Sequence, residues 1–220
     1  STAVDNIGIG LNALNSITSG DYNIALGLNS GTAILGAIHN VMIGRGSGAK
    51  ITSGANNVCI GGYDTGGEIT TESNNVLLGY QAGGALTSAA NTIIGHLAGT
   101  GAMTAGYNTF VGNGAGSTTT GVGQQNYAFG YSAQAGTTGN YNVCIGRGTA
   151  GSTGAGNISI GQNHSGNQYL TGNYSIKLGY LIPASATDAS SEFILGGNNI
   201  LLMNGAYATS GRAKLLINPG

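Results

Sequence analysis

Apolar and polar residues alternate in short bursts along this chain, and the bursts recur at a nearly fixed interval. Each burst has the form Asn-x-x-x-Gly. With the Asn as position zero, position +1 is Ile7, Ile24, Val41, Val58, Val76, Thr92, Thr109, Tyr127, Val143, Ile158, Ile176 and Phe193. Position +3 is Ile9, Leu26, Ile43, Ile60, Leu78, Ile94, Val111, Phe129, Ile145, Ile160, Leu178 and Leu195, while position +2 varies from Gly8 to Lys177. Period-two alternation over so short a run predicts a half-buried strand, with +1 and +3 as its core-facing pair. Ten copies begin at Asn6, Asn23, Asn40, Asn57, Asn75, Asn91, Asn108, Asn126, Asn142 and Asn157, and degenerate copies run Ser175 to Gly179 and Glu192 to Gly196. The steps between them lie between 15 and 18 residues, most often 17. Such a period predicts stacked coils, each too small to bury a core alone.

The rest of each coil follows from the same alignment. Gly at +4 ends the strand in a turn or a close backbone approach. A phrase ending in Ala-Gly or Ser-Gly follows, as in Tyr80-Gln81-Ala82-Gly83 and His96-Leu97-Ala98-Gly99. A Thr-rich stretch leads back, as in Ile17-Thr18-Ser19-Gly20, Ile51-Thr52-Ser53-Gly54, Leu86-Thr87-Ser88, Met103-Thr104-Ala105-Gly106 and Leu170-Thr171-Gly172, and is predicted to supply a second strand. The ten Asn residues are the predicted structural ladder, each amide donating to one neighbouring coil and accepting from the other. The fold class expected is all-β: a parallel β-roll or β-solenoid of about 12 coils, a rod roughly 55–60 Å long at strand spacing. Two regions are predicted, the repeat over residues 1–180 and an irregular terminal coil and cap or connector over 181–220. Leu181 to Ser191, which contains Pro183, reads as a loop interruption, because proline cannot sit in a central strand. Short capping strands are read at Ile200 to Met203 and Leu215 to Ile217.

Composition narrows the function classes. Gly is 43 of 220 residues, charged residues are 6%, and the net charge is −1. A nucleic-acid binder needs a basic face for phosphate, and so does a protein held on an anionic membrane surface; neither is encoded. The uncharged run from Glu72 to Arg147 is broken by Gly, Asn, Ser and Thr too often to span a bilayer. No basic-then-apolar leader opens the chain, and the start at Ser1 reads as a processed product or a fragment. Cys59 and Cys144 share one repeat position five coils apart, roughly 24 Å along the axis, too far for a disulfide within one chain. They read as small buried residues, with cross-chain contact as the alternative.

Candidate chemistry is sparse. His39, His96 and His164 lack companion ligands and read as exposed turn residues, so no metal site is expected. Gly44-Arg45-Gly46-Ser47-Gly48 lacks the Gly-Lys-Ser/Thr and helix of a phosphate loop. Gly61-Gly62-Tyr63-Asp64-Thr65-Gly66-Gly67-Glu68 has a faint calcium-loop look but occurs once and reads as a turn. No nucleophile–base grouping can be assembled, so neither catalytic residues nor a cofactor is expected. The Asn-x-Ser/Thr sequons at Asn157, Asn163 and Asn173 read as chance matches. The residues nominated for receptor contact are tyrosines at turns, Tyr80, Tyr131 and Tyr180 after the repeat Gly and Tyr107 and Tyr141 before the ladder Asn, because amphipathic rings suit sugar or protein surfaces. The competing reading packs them across turns or between chains.

Asn91-Thr92-Ile93-Ile94-Gly95-His96-Leu97-Ala98-Gly99 and Asn108-Thr109-Phe110-Val111-Gly112-Asn113-Gly114-Ala115-Gly116 resemble the head repeats of trimeric autotransporter adhesins, and similar repeats occur in bacteriophage tail fibres. The resemblance covers about residues 6–180. It implies a homotrimer of parallel β-rolls, outside the cell or on a virion, that attaches to a host-surface glycan or protein receptor. The adhesin repeat is usually a few residues shorter than 17, which favours a phage tail fibre or receptor-binding fibre over the alternative, an adhesin head domain. A monomeric ice-binding solenoid is a third reading, motivated by Thr18, Thr52, Thr87, Thr104 and Thr171. A polysaccharide-degrading spike is a fourth, with no carboxylate pair to nominate among 7 acidic residues.

Overall fold

The structure is a computed structural model that describes residues 2–117, 123–133, 139–148, 154–162, 173–180, 193–197 and 200–201. Each Asn-x-x-x-Gly burst contributes one strand. Nine strands of three residues come first: β1 (Ile7–Ile9), β2 (Ile24–Leu26), β3 (Val41–Ile43), β4 (Val58–Ile60), β5 (Val76–Leu78), β6 (Thr92–Ile94), β7 (Thr109–Val111), β8 (Tyr127–Phe129) and β9 (Val143–Ile145). Three of five residues follow, β10 (Ile158–Gln162), β11 (Ile176–Tyr180) and β12 (Phe193–Gly197), then the two-residue β13 (Ile200–Leu201). All thirteen form one sheet in chain order. From β1 to β12 every pairing is parallel with equivalent repeat positions in register, as in Val41↔Val58, Met42↔Cys59 and Ile43↔Ile60. β13 turns back antiparallel on β12.

The chain is therefore a parallel β-solenoid with a period near 17 residues, without helix among the described residues. The expected twelve equivalent coils become about nine. Beyond β9 the residue after the repeat Gly stays paired, as in Gln162↔Tyr180, instead of turning away. The predicted interruption from Leu181 to Ser191 and the strand at Leu215 to Ile217 lie outside the described residues.

Two sequence expectations are corrected. The first concerns which face of the strand is inside. The ladder Asn from Asn23 to Asn157 are buried, and alternation then sends position +2 inward and positions +1 and +3 outward. Ala25, Met42, Cys59, Leu77, Ile93, Phe110, Ala128 and Cys144 accordingly form the inner side of the sheet. The second concerns the Thr-rich return, where the described residues form bends and turns rather than a strand. Its backbone makes a corner: the amides of Thr18, Ser19 and Gly20 all donate to the Leu35 carbonyl at 3.0–3.1 Å. Its apolar side chains nonetheless supply the opposite wall of the core, with Ile34, Ile51, Ile69, Leu86 and Met103 fully buried.

Small residues close the space between these walls. At Gly116 (φ +63°) an added Cβ would run into the Phe110 ring, so the largest core side chain depends on a glycine beside it. At the repeat Gly a different limit operates. Gly44 has φ +117°, and an added Cβ would overlap the Gly61 carbonyl oxygen of the next coil. The strand-ending glycine is thus required by backbone conformation and by stacking together.

Candidate functional site: the outward columns of the solenoid

In register stacking, each repeat position becomes a column parallel to the axis. The inner columns are occupied with structure. The backbone N–H of each ladder Asn donates to Oδ1 of the preceding one at 2.9–3.1 Å, from Asn23 on Asn6 to Asn157 on Asn142. Ser175 continues the series on Asn157 at 2.8 Å. In several coils the side-chain amide joins the same oxygen, as Asn40 Nδ2 does on Asn23 Oδ1 at 3.0 Å, and also reaches the following coil's return, as on the Gly54 carbonyl at 2.8 Å. The ladder therefore uses the main chain as well as the amide.

Cys59 and Cys144 sit in the +2 column as buried thiols. Burial pushes each thiol up to about 12. Asn157, one of the three sequon residues, is buried in the ladder. The Thr hydroxyls of the return are also engaged, Thr18 on the Leu35 carbonyl at 3.0 Å and Thr52 on the Thr70 carbonyl at 3.1 Å. Thr104 is exposed, and Thr171 lies outside the described residues.

The outer face of the sheet carries the apolar residues that the sequence pattern assigned to the core. Two adjacent columns, +1 and +3, run along it through β1 to β11. Val76 is 38% exposed and Leu78 43%, whereas Leu77 between them is fully buried. Ile7, Ile9, Tyr127, Phe129, Ile145 and Ile160 are exposed in the same two columns. Their members are mostly β-branched, which keeps the face stiff and flat.

Two further columns flank this strip. Before each ladder Asn stands a residue in the left-handed region, with φ between 54° and 63° at Asp5, Tyr22, His39, Asn56, Asn74, Ala90, Tyr107, Gln125, Tyr141 and Tyr174. Tyr107 and Tyr141 belong here, exposed and two coils apart. Tyr22 stacks on His39 with centroids 5.1 Å apart. After each repeat Gly runs the second column, which holds Tyr80 and Tyr131. The five nominated tyrosines thus divide between two edges, and Tyr180 closes β11 with its side chain outside the described residues.

Five residues not nominated for receptor contact from sequence complete the second column. Arg45 lies over the Tyr63 ring at 5.0 Å, Tyr63 stacks on Tyr80 at 5.9 Å, and Tyr80 stacks on His96 at 5.4 Å. Asn113 Nδ2 reaches His96 Nδ1 at 3.3 Å, and Arg147 lies 5.7 Å from the Tyr131 ring centroid. Aligning the repeats at +5 and +6 would have revealed most of this series. Ring faces along it are covered by neighbours one coil away, so the column presents ring edges, hydroxyls and cationic groups to solvent. Each stacked pair contributes about 0.5–1.5 kcal/mol beyond its buried area.

Charged groups gather in the coils of β3 and β4. Lys50 pairs with Glu68 at 2.6 Å, with both side chains about half exposed. For the Glu72 carboxyl, burial alone would raise the pKa; hydrogen bonds from the Thr70 and Thr71 amides outweigh it and hold the group below its usual value. Among the described residues no three His, Cys, Asp or Glu gather into a cation site, and no helix is long and apolar enough to cross a membrane. Compared with known proteins, the chain matches no family model, no curated protein and no solved structure.

Proposed function

We propose that this chain is a module of a homotrimeric extracellular fibre, a structural shaft that also attaches to a surface, of the phage tail-fibre or receptor-binding kind. The observation that carries the proposal is the outward apolar strip. Eleven strands at about 4.8 Å and two columns of side chains give it an area on the order of 600 Å². Contiguous apolar patches beyond a few hundred Å² mark contact surfaces. Three such strips turned towards a common axis would bury about 1,800 Å² in all, shared among three pairwise contacts of about 600 Å² each, so no single pair reaches the size of a stable interface and the closed ring of three is needed.

Geometry favours three copies over two. In a parallel bundle around a three-fold axis, each chain has two neighbours. The +1 column then meets one neighbour and the +3 column the other. All copies run in the same direction, so identical coils meet at each level and the strip needs to match only itself. An adhesin head domain would use the same packing; the period near 17 is what favours a fibre of phage type.

The test is the mass of the purified chain by light scattering. Three times the chain mass is expected, and a monomer at all accessible concentrations would overturn the assembly. An ice-binding monomer predicts thermal hysteresis from that monomer instead.

A further inference from the structure

One turn departs from the others among the described residues. The step from Asn57 to Asn75 is 18 residues, as are those from Asn108 and Asn157, but here the turn after the repeat Gly places two consecutive non-glycine residues, Tyr63 (φ 49°) and Asp64 (φ 58°), in the left-handed region. An insertion in a repeat emerges as an outward loop, often on the binding face. Here it opens a cavity. Leu28 and Asn29 line it from the coil of β2, Arg45 and Gly46 from that of β3, and Tyr63 and Asp64 from that of β4; its volume is about 250 Å³. Gly46 lines it without a side chain, and a Cβ built there would approach Asp64 no closer than 3.8 Å.

The lining offers unspent polar groups. Among the described residues the ion pair is Lys50–Glu68, so neither Arg45 nor Asp64 is neutralised by a partner of opposite charge. The guanidinium is nevertheless fixed in place, seated 5.0 Å from the Tyr63 ring centroid. Asn29 Oδ1 accepts from Asn12 Nδ2 at 2.9 Å, which orients its amide and leaves the Nδ2 hydrogens for another acceptor. Leu28 is an exposed apolar ledge at one end, and Tyr63 contributes a ring edge at the other.

We propose that this cavity binds one neutral pyranose unit of a surface glycan. A sugar hydroxyl both donates and accepts, so vicinal hydroxyls satisfy Asp64 on one side and Arg45 and Asn29 on the other. The C–H face of the ring lies against Leu28. A carboxylated sugar would meet Asp64 at cost, and an amine would meet Arg45 at cost. The volume is below the range of drug-sized pockets, which suits one ring rather than an extended chain. The inference deepens the fibre reading by naming the chemical class of its receptor. Its biological role rests on that reading; the binding itself does not.

Saturation-transfer NMR on the full chain tests it. The probes are the methyl glycosides of glucose, galactose, mannose and N-acetylglucosamine, with methyl glucuronide and glycerol as controls. Transfer to at least one neutral probe is expected, weakened at least tenfold by Arg45→Ala and by Asp64→Asn and unchanged by Ala102→Ser at an exposed position three coils away from Arg45. Asn tolerates the left-handed conformation at position 64, so Asp64→Asn removes charge without refolding the turn. Absence of transfer to every neutral probe, an equal response from glucuronide or glycerol, or binding indifferent to both variants would overturn the proposal. Light scattering on the same sample reads the trimer separately, so loss of one reading is not mistaken for loss of the other.

Discussion

At the scale of single residues, the same side chain has opposite consequences depending on its column. Asn75 gives its N–H and amide to Asn57 Oδ1, both at 3.1 Å, and its own Oδ1 receives the N–H of Asn91 at 2.9 Å. Asn75→Ala strands the Asn91 backbone N–H in a buried site, while Asn91 Nδ2 keeps Ser88 Oγ and the Ala89 carbonyl as acceptors. An unsatisfied buried group costs about 1–3 kcal/mol, so urea unfolding at fixed protein concentration should show a loss of about that size, against less than about 0.5 kcal/mol for Thr104→Ala at an exposed position. The two cysteines make a second residue-scale prediction. Their native thiols, pushed up to about 12, stay protonated and enclosed. A disulfide reagent at pH 8 should label neither in the native protein and both after denaturation. The sign for stability follows. An unfolded thiol ionises near 9.0 and the folded one near 12, so this contribution is fully present below pH 9 and declines as pH rises towards 12.

At the scale of the element, the three-residue strand divides its work by parity. Leu77→Ala removes inner packing and should cost about 2–5 kcal/mol in unfolding. Its neighbours should respond differently. The double variant Val76→Lys and Leu78→Lys leaves the core of one solenoid intact and places charge on the outer strip; the expected result is a smaller mass in light scattering with the β-rich circular dichroism retained. Loss of secondary structure in that variant would argue that the outer strip serves folding of the single chain. Gly44→Ala tests the turn. Its Cβ would collide with Gly61, so coils on the two sides of that level should lose register, seen as increased proteolysis near residues 44–62.

Over the whole molecule, a one-dimensional stack has no centre. Each coil contacts its two neighbours, and stability is a sum of coil terms and interface terms. The outward columns inherit that regularity, and function is expressed where regularity is kept or broken. The apolar strip is the case kept: a single substitution weakens one level of about eleven. The cavity at Arg45 and Asp64 is the case broken, formed where one extra residue enters a turn and Gly46 lines the space without a side chain.

Much of this was legible in the sequence for a simple reason. A repeat of fixed length with one strand per unit admits in-register parallel stacking, so the solenoid, its strand positions and the Asn ladder follow from spacing alone. What spacing could not decide was which side of each strand is inside. Alternation gives two faces without saying which is buried, and hydropathy pointed to +1 and +3. The ladder decided otherwise, because a buried Asn at position zero fixes the parity of everything after it. The second strand was misread for a related reason: apolar residues in the return serve the core from a corner, where consecutive amides converge on one carbonyl. The tyrosines were found singly, but their partners lie 16–18 residues away in sequence and one coil away in space. Sequence determined the repeat and what each unit can form; only the tertiary structure decided what faces inward, and so which apolar residues are left for another chain.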